Sequence, residues 1–113
     1  MYEEVIMNVQ LKRGTLDILV LSVISKGETY GYKIVKDLED FYPISESTLY
    51  PILKRLVESN SVKVRDEAIN GRLRKMYSIT GIGYEKILKF LEDFQEILMV
   101  YGYIKMETRN EHK

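Results

Sequence analysis

The side chains best suited to chemistry lie between residues 45 and 75, and they are hydroxyls, phenols and cations. The core-facing positions of a helix over 45–59 follow i, i+3, i+4, i+7 spacing: Leu49, Ile52, Leu53 and Leu56. The opposite face carries Ser47, Pro51, Lys54 and Glu58, flanked by Tyr50 and Arg55. Such groups bind phosphates and base edges. The pattern is typical of a recognition helix, although a solvated helix face would show it too.

A second group of cations follows the Asn70-Gly71 pair, which favours a two-residue hairpin turn. That turn places Val62 opposite Ile79 and Val64 opposite Tyr77, so apolar pairs share one face. The cations near its tip are Arg72, Arg74 and Lys75, with Lys63 and Arg65 on the other strand. A hairpin of this kind can follow a DNA backbone, or it can be an edge hairpin that charge protects from aggregation.

Composition excludes most enzyme classes. Among 113 residues there is no cysteine and one histidine, His112, so disulfides, thiol catalysis and cysteine-ligated zinc are excluded. We expect no enzyme, no cofactor and no metal. No apolar run is long enough to span a membrane, and the default compartment is the cytoplasm.

The formal net charge of zero argues at first against nucleic acid. However, residues 45–80 hold seven Lys and Arg against four Asp and Glu, whereas residues 1–44 hold five against seven. The positive excess therefore lies on the segment with the recognition-helix pattern.

The periodicity predicts a winged helix-turn-helix, mostly α with a small β-hairpin (α+β), which has an N-terminal helix and a long C-terminal helix. The predicted elements are a helix over 2–11, a break at 12–14, a helix over 16–26 capped by Thr15, a helix over 31–40 with Tyr32 facing inward, a recognition helix over about 45–59 capped by Ser45, a wing over 61–80, and a helix over 81–109 capped by Thr80. Residues 1–80 would form the DNA-binding domain, 81–109 the dimerisation helix and 110–113 a tail.

The last helix carries two adjacent apolar stripes, and one stripe would suffice to dock it on its own domain. The second stripe indicates a partner, which in so short a chain is expected to be another copy. The residues predicted at a dimer interface are Val5, Ile6, Val9, Ile87, Phe90, Leu91, Phe94, Ile97, Leu98, Tyr101 and Ile104.

The motifs SESTLYPILKRLVESNSV and GRLRKMYSITGIGYE, after RGTLDILVLSVI and YGYKIVKDLE, resemble the PadR family of transcriptional regulators over nearly the whole chain. Departures are small: Ser47 and Asn60 stand where glycine is common, and Met76 replaces a frequent aromatic residue. The resemblance implies a homodimer that dimerises through its last helix, and DNA contacts at Ser45, Ser47, Thr48, Tyr50, Lys54, Arg72, Arg74 and Lys75. Arg55 joins this set as the cation that flanks the outer helix face.

The expected function is a homodimeric repressor that reads a palindromic operator in double-stranded DNA. The alternative is a winged helix that binds only proteins, since the fold does not dictate its partner. Some relatives bind a small aromatic effector, for which Phe90, Phe94 and Tyr101 are the candidates here. Tryptophan is absent, and aromatic residues at helical spacing more often form core or interface.

Overall fold

The protein is described from a computed structural model that covers the backbone of residues 2–111 and the side chains of residues 13–109. Four helices and one antiparallel hairpin occur in this part of the chain. Their bounds are α1 Tyr2–Ile24, α2 Gly31–Leu38, α3 Glu46–Glu58, β1 Val62–Ile69, β2 Arg72–Ile79 and α4 Gly81–Glu111. The arrangement confirms the predicted winged helix-turn-helix. Within the described residues, no helix is long and apolar enough to cross a membrane.

The predicted break at residues 12–14 is wrong, because α1 runs without interruption from Tyr2 to Ile24. Gly14 lies inside the helix and does not have a positive φ. A glycine costs a helix only about 1 kcal/mol relative to alanine, and the buried Val20 and Leu21 anchor the turns that follow. Thr15 is consequently not an N-cap. The side chains of Val5, Ile6 and Val9, predicted at a dimer interface, lie outside the described residues.

The core lies where α1, α2, α3 and the base of the hairpin meet. Its most fully buried side chains are Val20, Leu21, Ile24, Ile34, Leu49 and Leu53. Because Leu49, Ile52, Leu53 and Leu56 all face this core, the rotation of α3 about its axis is fixed as the spacing predicted. The opposite side of α3 therefore faces away from the protein.

Capping fixes both ends of α3. The Ser45 side chain accepts a hydrogen bond from the Thr48 amide at 3.2 Å, which confirms it as the N-cap. Pro51 lies inside the helix, which nevertheless begins at Glu46 as a regular element. Asn60 has a φ of 59°, the left-handed conformation that ends helices, at a position where the related family commonly has glycine.

The hairpin has the predicted register, with Val62 opposite Ile79 and Val64 opposite Tyr77. Asn70 and Gly71 both have positive φ, at 52° and 77°, as a type I′ turn requires. Thr29 adds a bridge on the other side of β2: its amide donates to the Tyr77 carbonyl at 3.0 Å, and the Tyr77 amide donates back at 2.7 Å. The loop before α2 is therefore fastened to the wing.

Thr80 joins the hairpin to α4. Its hydroxyl donates to the Asn60 carbonyl at 2.7 Å and accepts from the Gly83 amide at 3.1 Å, so it caps α4 as predicted. The 31 residues of α4 extend roughly 46 Å. This length accounts for the elongated shape of the chain, 66 × 30 × 24 Å.

Gly83 provides a test of this junction. A Cβ at Gly83 would lie 2.3 Å from the Ser61 carbonyl oxygen and 2.7 Å from Ile79 Cγ1, and the backbone oxygen cannot move aside cheaply. We expect Gly83→Ala to lower the free energy of unfolding by about 1–3 kcal/mol in urea titrations. Gly81→Ala is the matched control, because no described atom would lie within 4 Å of its Cβ. Equal stability of the two variants would contradict the packing described here.

Candidate nucleic-acid interface

The outer face of α3 presents the hydroxyls and the cation that the sequence predicted there. Ser45, Ser47, Thr48, Tyr50 and Lys54 are all exposed, and the side chain of Tyr50 is 49% accessible. Ser45 Oγ lies 2.9 Å from Ser47 Oγ and 3.1 Å from Thr48 Oγ1, so three hydroxyls cluster at the first turn. Hydroxyls clustered in this way can donate hydrogen bonds to phosphate oxygens.

Arg55 lies on a different side of α3 from these residues. Its guanidinium donates to both carboxylate oxygens of Asp17 on α1, Nη2 to Oδ1 at 2.7 Å and Nε to Oδ2 at 3.3 Å. The hydrogen bond to Asp17 raises the pKa of Arg55 above its usual value. This paired geometry ties α3 to α1 and leaves the Arg55 guanidinium engaged within the protein.

The cations of β2 lie next to the outer face of α3. Lys54 and Lys75 line one groove together with Tyr50 and Val64, between α3 and the hairpin. Arg74 and Lys75 line a neighbouring cavity of about 330 Å³, whose wall again includes Tyr50. Arg72 is exposed beside the turn. The structure therefore brings the helix set and the wing set, 18 or more residues apart in sequence, onto one continuous surface.

The start of α2 also belongs to this surface, which the sequence did not indicate. The carbon Cζ of Arg74 lies 4.7 Å from the centre of the Tyr30 ring, and Tyr30 and Tyr32 both line the cavity beside Arg74. A Cβ at Gly31 would lie 3.0 Å from the Tyr50 hydroxyl, so glycine lets this phenol approach α2. Tyr32, predicted to face inward, is instead 51% exposed.

Arg65 is a cation of the wing that is already paired. It donates to Glu28 through Nε at 2.7 Å, and its Nη2 lies 2.7 Å from Glu67 Oε1. The hydrogen bond from Arg65 holds the pKa of the Glu28 carboxyl below its usual value, while the two carboxylates raise the pKa of Arg65. The pair joins the wing to the loop before α2, whereas Lys63, Arg72 and Lys75 are exposed and Arg74 is half-buried.

The predicted interface residues of α4 are largely uncovered. Leu91, Phe94, Ile97, Leu98, Tyr101 and Ile104 are between 42% and 58% exposed, whereas Ile87 packs partly against the core. Phe90 and Phe94 stack with ring centres 5.7 Å apart. Phe90 also lines an apolar cavity of about 730 Å³ between α1 and α4, next to Phe41 and Tyr42. Among residues 13–109, no group of side chains could hold a metal ion.

A known protein family matches more than half of this chain. The model of the transcriptional regulator PadR-like family matches residues 20–89. The negative transcriptional regulator PadR of Bacillus subtilis (strain 168) is 30% identical over 83 residues, which cover 69% of this chain and 46% of that protein. The chain therefore spans about half the length of that relative.

Solved structures show the same fold. A PadR family transcriptional regulator from Eggerthella lenta DSM 2243 superposes with a TM-score of 0.76 at 30% identity, covering 91% of this chain and 94% of that one. Bacillus subtilis PadR in complex with operator DNA superposes with a TM-score of 0.63 at 27% identity, covering 67% of this chain and 46% of that one.

The pairing of Arg55 with Asp17 predicts an effect on stability rather than on DNA affinity. We expect Asp17→Asn and Arg55→Met each to lower the free energy of unfolding by about 1 kcal/mol, since each breaks one partly buried bidentate pair. Double-mutant cycles in urea titrations measure the coupling free energy between Asp17 and Arg55.

For DNA binding, we expect Arg55→Met to keep the parent's dependence of affinity on salt concentration. A salt slope reduced by about one unit would instead show that Arg55 binds a phosphate.

Proposed function

The chain belongs to the PadR-like family of transcriptional regulators, and we propose that it binds a palindromic operator as a homodimer and represses transcription. Members of this family are regulators and not enzymes. In this proposal, residues 1–80 form the DNA-binding unit and residues 81–109 form the dimerisation helix.

The observation that carries the proposal is the shared groove of Lys54 on α3 and Lys75 on β2, with Tyr50 beside both. Glu58 also lines this groove, and the exposed hydroxyls of Ser45, Ser47 and Thr48 lie at the first turn of the same helix. A helix of this kind enters the major groove with its N-terminal residues at the bases, while the wing follows the backbone. The superposition on a relative solved in complex with operator DNA supports DNA binding by this chain.

The proposed DNA contacts are divided between two roles. The α3 side chains Ser45, Ser47, Thr48, Tyr50 and Lys54 reach base edges and the phosphates next to them, whereas the wing cations Arg72, Arg74 and Lys75 bind phosphates only. Arg55, predicted from the sequence to join the first group, is held by Asp17 and is left out of the set.

The apolar surface of α4 supports the homodimer. Exposed apolar side chains continue from Leu88, 62% accessible, to Met106, 61% accessible, along a helix that extends beyond its own core. A patch of this extent marks an interaction site in soluble proteins. A second α4 would cover it, and two-fold symmetry would present two α3 helices to the half-sites of a palindrome.

We propose the apolar cavity beside Phe90 as the binding site of a small aromatic effector. It lies between α1 and α4, and Thr15 and Ser22 supply hydroxyls in a wall that is otherwise largely apolar. An occupant would contact both the helix that carries the core and the helix that carries the dimer surface. An effector that bound one packing of α1 against α4 more tightly than another would shift the protein toward it, and with it the spacing of the two α3 helices.

The first test is the salt dependence of DNA binding. The probe is a duplex recovered from genomic fragments by selection with the purified protein, and affinity is measured by fluorescence anisotropy across salt concentrations. We expect Lys54→Ala and Lys75→Ala each to weaken binding and to reduce the salt slope by about one unit, because each removes one phosphate contact. Lys89→Ala is the control, since Lys89 lies on α4 and does not line the groove of Lys54 and Lys75. If both test variants have the same salt slope as the parent, this surface does not bind DNA. If the parent itself shows no salt-sensitive DNA binding, the result favours the alternative of a winged helix that binds only proteins.

The second test is the mass of the assembly. Phe94 and Leu98 are 42% and 52% exposed in the single chain, so Phe94→Glu with Leu98→Glu leaves the core intact. We expect this variant to sediment as a folded monomer and to bind the selected duplex at least tenfold more weakly, because it loses the second half-site. Tyr103→Glu adds a charge on the other side of α4 and should remain dimeric. A dimer of unchanged mass in the double variant would refute the assigned interface.

A further inference from the structure

The loop before α2 is held rigidly against the wing. Thr29 and Tyr77 exchange two backbone hydrogen bonds, at 3.0 and 2.7 Å, and Glu28 pairs with Arg65 on β1. Thr29 is itself 4% exposed. Tyr30, the next residue, has extended backbone geometry, with a φ of −138° and a ψ of 166°. The backbone that carries the Tyr30 ring is therefore positioned by contacts with both strands of the wing as well as by α2.

The ring of Tyr30 lies under the guanidinium of Arg74. The distance of 4.7 Å from Cζ to the ring centre is within the range of a cation–π interaction, in which arginine is the commoner cation. Arg74 Nε is buried and has no hydrogen-bond partner among the described residues. With Nε shielded, only the terminal nitrogens can bind a phosphate. Arg72, two residues away on β2, is exposed next to the turn.

We propose that Tyr30 is a positioning residue for DNA binding, which holds Arg74 on its ring so that the terminal guanidinium nitrogens face a phosphate. The proposal rests on the proposed function, because it assigns a role within the same DNA-binding surface. An arginine free in solvent loses rotamer freedom when it binds, and that loss reduces affinity. The stack on Tyr30 orders Arg74 before DNA arrives and so removes part of the loss.

A double-mutant cycle on the selected duplex tests the role. We expect Tyr30→Leu to weaken binding roughly two- to five-fold with an unchanged salt slope, because the charge of Arg74 remains. In the Arg74→Ala background, Tyr30→Leu should have no further effect, and Tyr30→Phe should bind like the parent since it keeps the ring. Additive effects of Tyr30→Leu and Arg74→Ala, or parental affinity of Tyr30→Leu, would overturn the proposal.

Tyr32 supplies the matched control, because it lies on the other side of Gly31 and interacts with Lys36, 5.9 Å from its ring centre. We expect any effect of Tyr32→Leu to add to that of Arg74→Ala. If the parent binds no DNA with salt sensitivity, the proposed function fails. If Arg74→Ala weakens binding but the cycle shows no coupling, only the role of Tyr30 fails.

A measurement on the parent protein needs no variant that could misfold. The Nε–Hε groups of Arg72 and Arg74 can be compared by ¹⁵N relaxation in the absence of DNA. We expect a higher order parameter for Arg74, together with upfield shifts of its side-chain protons from the Tyr30 ring current. Equal mobility of the two arginines would show that the stack does not order Arg74 and would overturn the proposal.

Discussion

The burial of one face of α3 is the constraint on which the rest of the surface depends. Leu49, Leu53 and Leu56 are at most 3% exposed, and together they fix both the position of α3 and its rotation about its axis. Burying each of these side chains stabilises the fold by about 1.5–3 kcal/mol, which is more than any single surface contact contributes. The exposed hydroxyls and Lys54 thus face outward as a consequence of packing on the other side of the same helix.

The base of the wing packs into the same core through Val62 and Tyr77, whereas the register of its two strands is set locally. Asn70 and Gly71 fix the hairpin register, and the register places Arg74 and Lys75 on opposite faces of β2. Lys75 then meets the α3 groove, while Arg74 meets Tyr30. One strand consequently supplies cations to two neighbouring parts of the surface, and the Thr29 bridge keeps the strand and the start of α2 in fixed relation.

Sequence rules for turns and helix caps correctly predicted the features that depend on neighbouring residues. The sequence predictions were wrong or incomplete where contacts between distant residues determine the structure. The Asn-Gly turn and the caps Ser45 and Thr80 involve residues within a few positions, so the sequence could indicate them. The break before Thr15 was wrong because helix propensity at Gly14 is a small cost against the anchoring of α1 in the core. The orientation of Arg55 is set by Asp17, 38 residues earlier, and that of Arg74 by Tyr30, 44 residues earlier. Helical and strand periodicity carries no information about contacts between such distant residues.

Two ion pairs, Arg55–Asp17 and Arg65–Glu28, show how the positive and negative charges of this neutral chain are distributed in the structure. Two of the seven cations in residues 45–80, Arg55 and Arg65, bind Asp17 and Glu28 of the acidic first segment. Part of the positive excess of residues 45–80 is therefore neutralised by ion pairs within the protein, which join α3 to α1 and β1 to the loop before α2. The outward cations are few, and at physiological ionic strength charges more than about 8 Å apart are largely screened. Long-range attraction to DNA is consequently weak, and affinity must come from close contacts whose geometry is fixed in advance. A cation ordered on an aromatic ring is one way for a nearly neutral protein to meet that requirement.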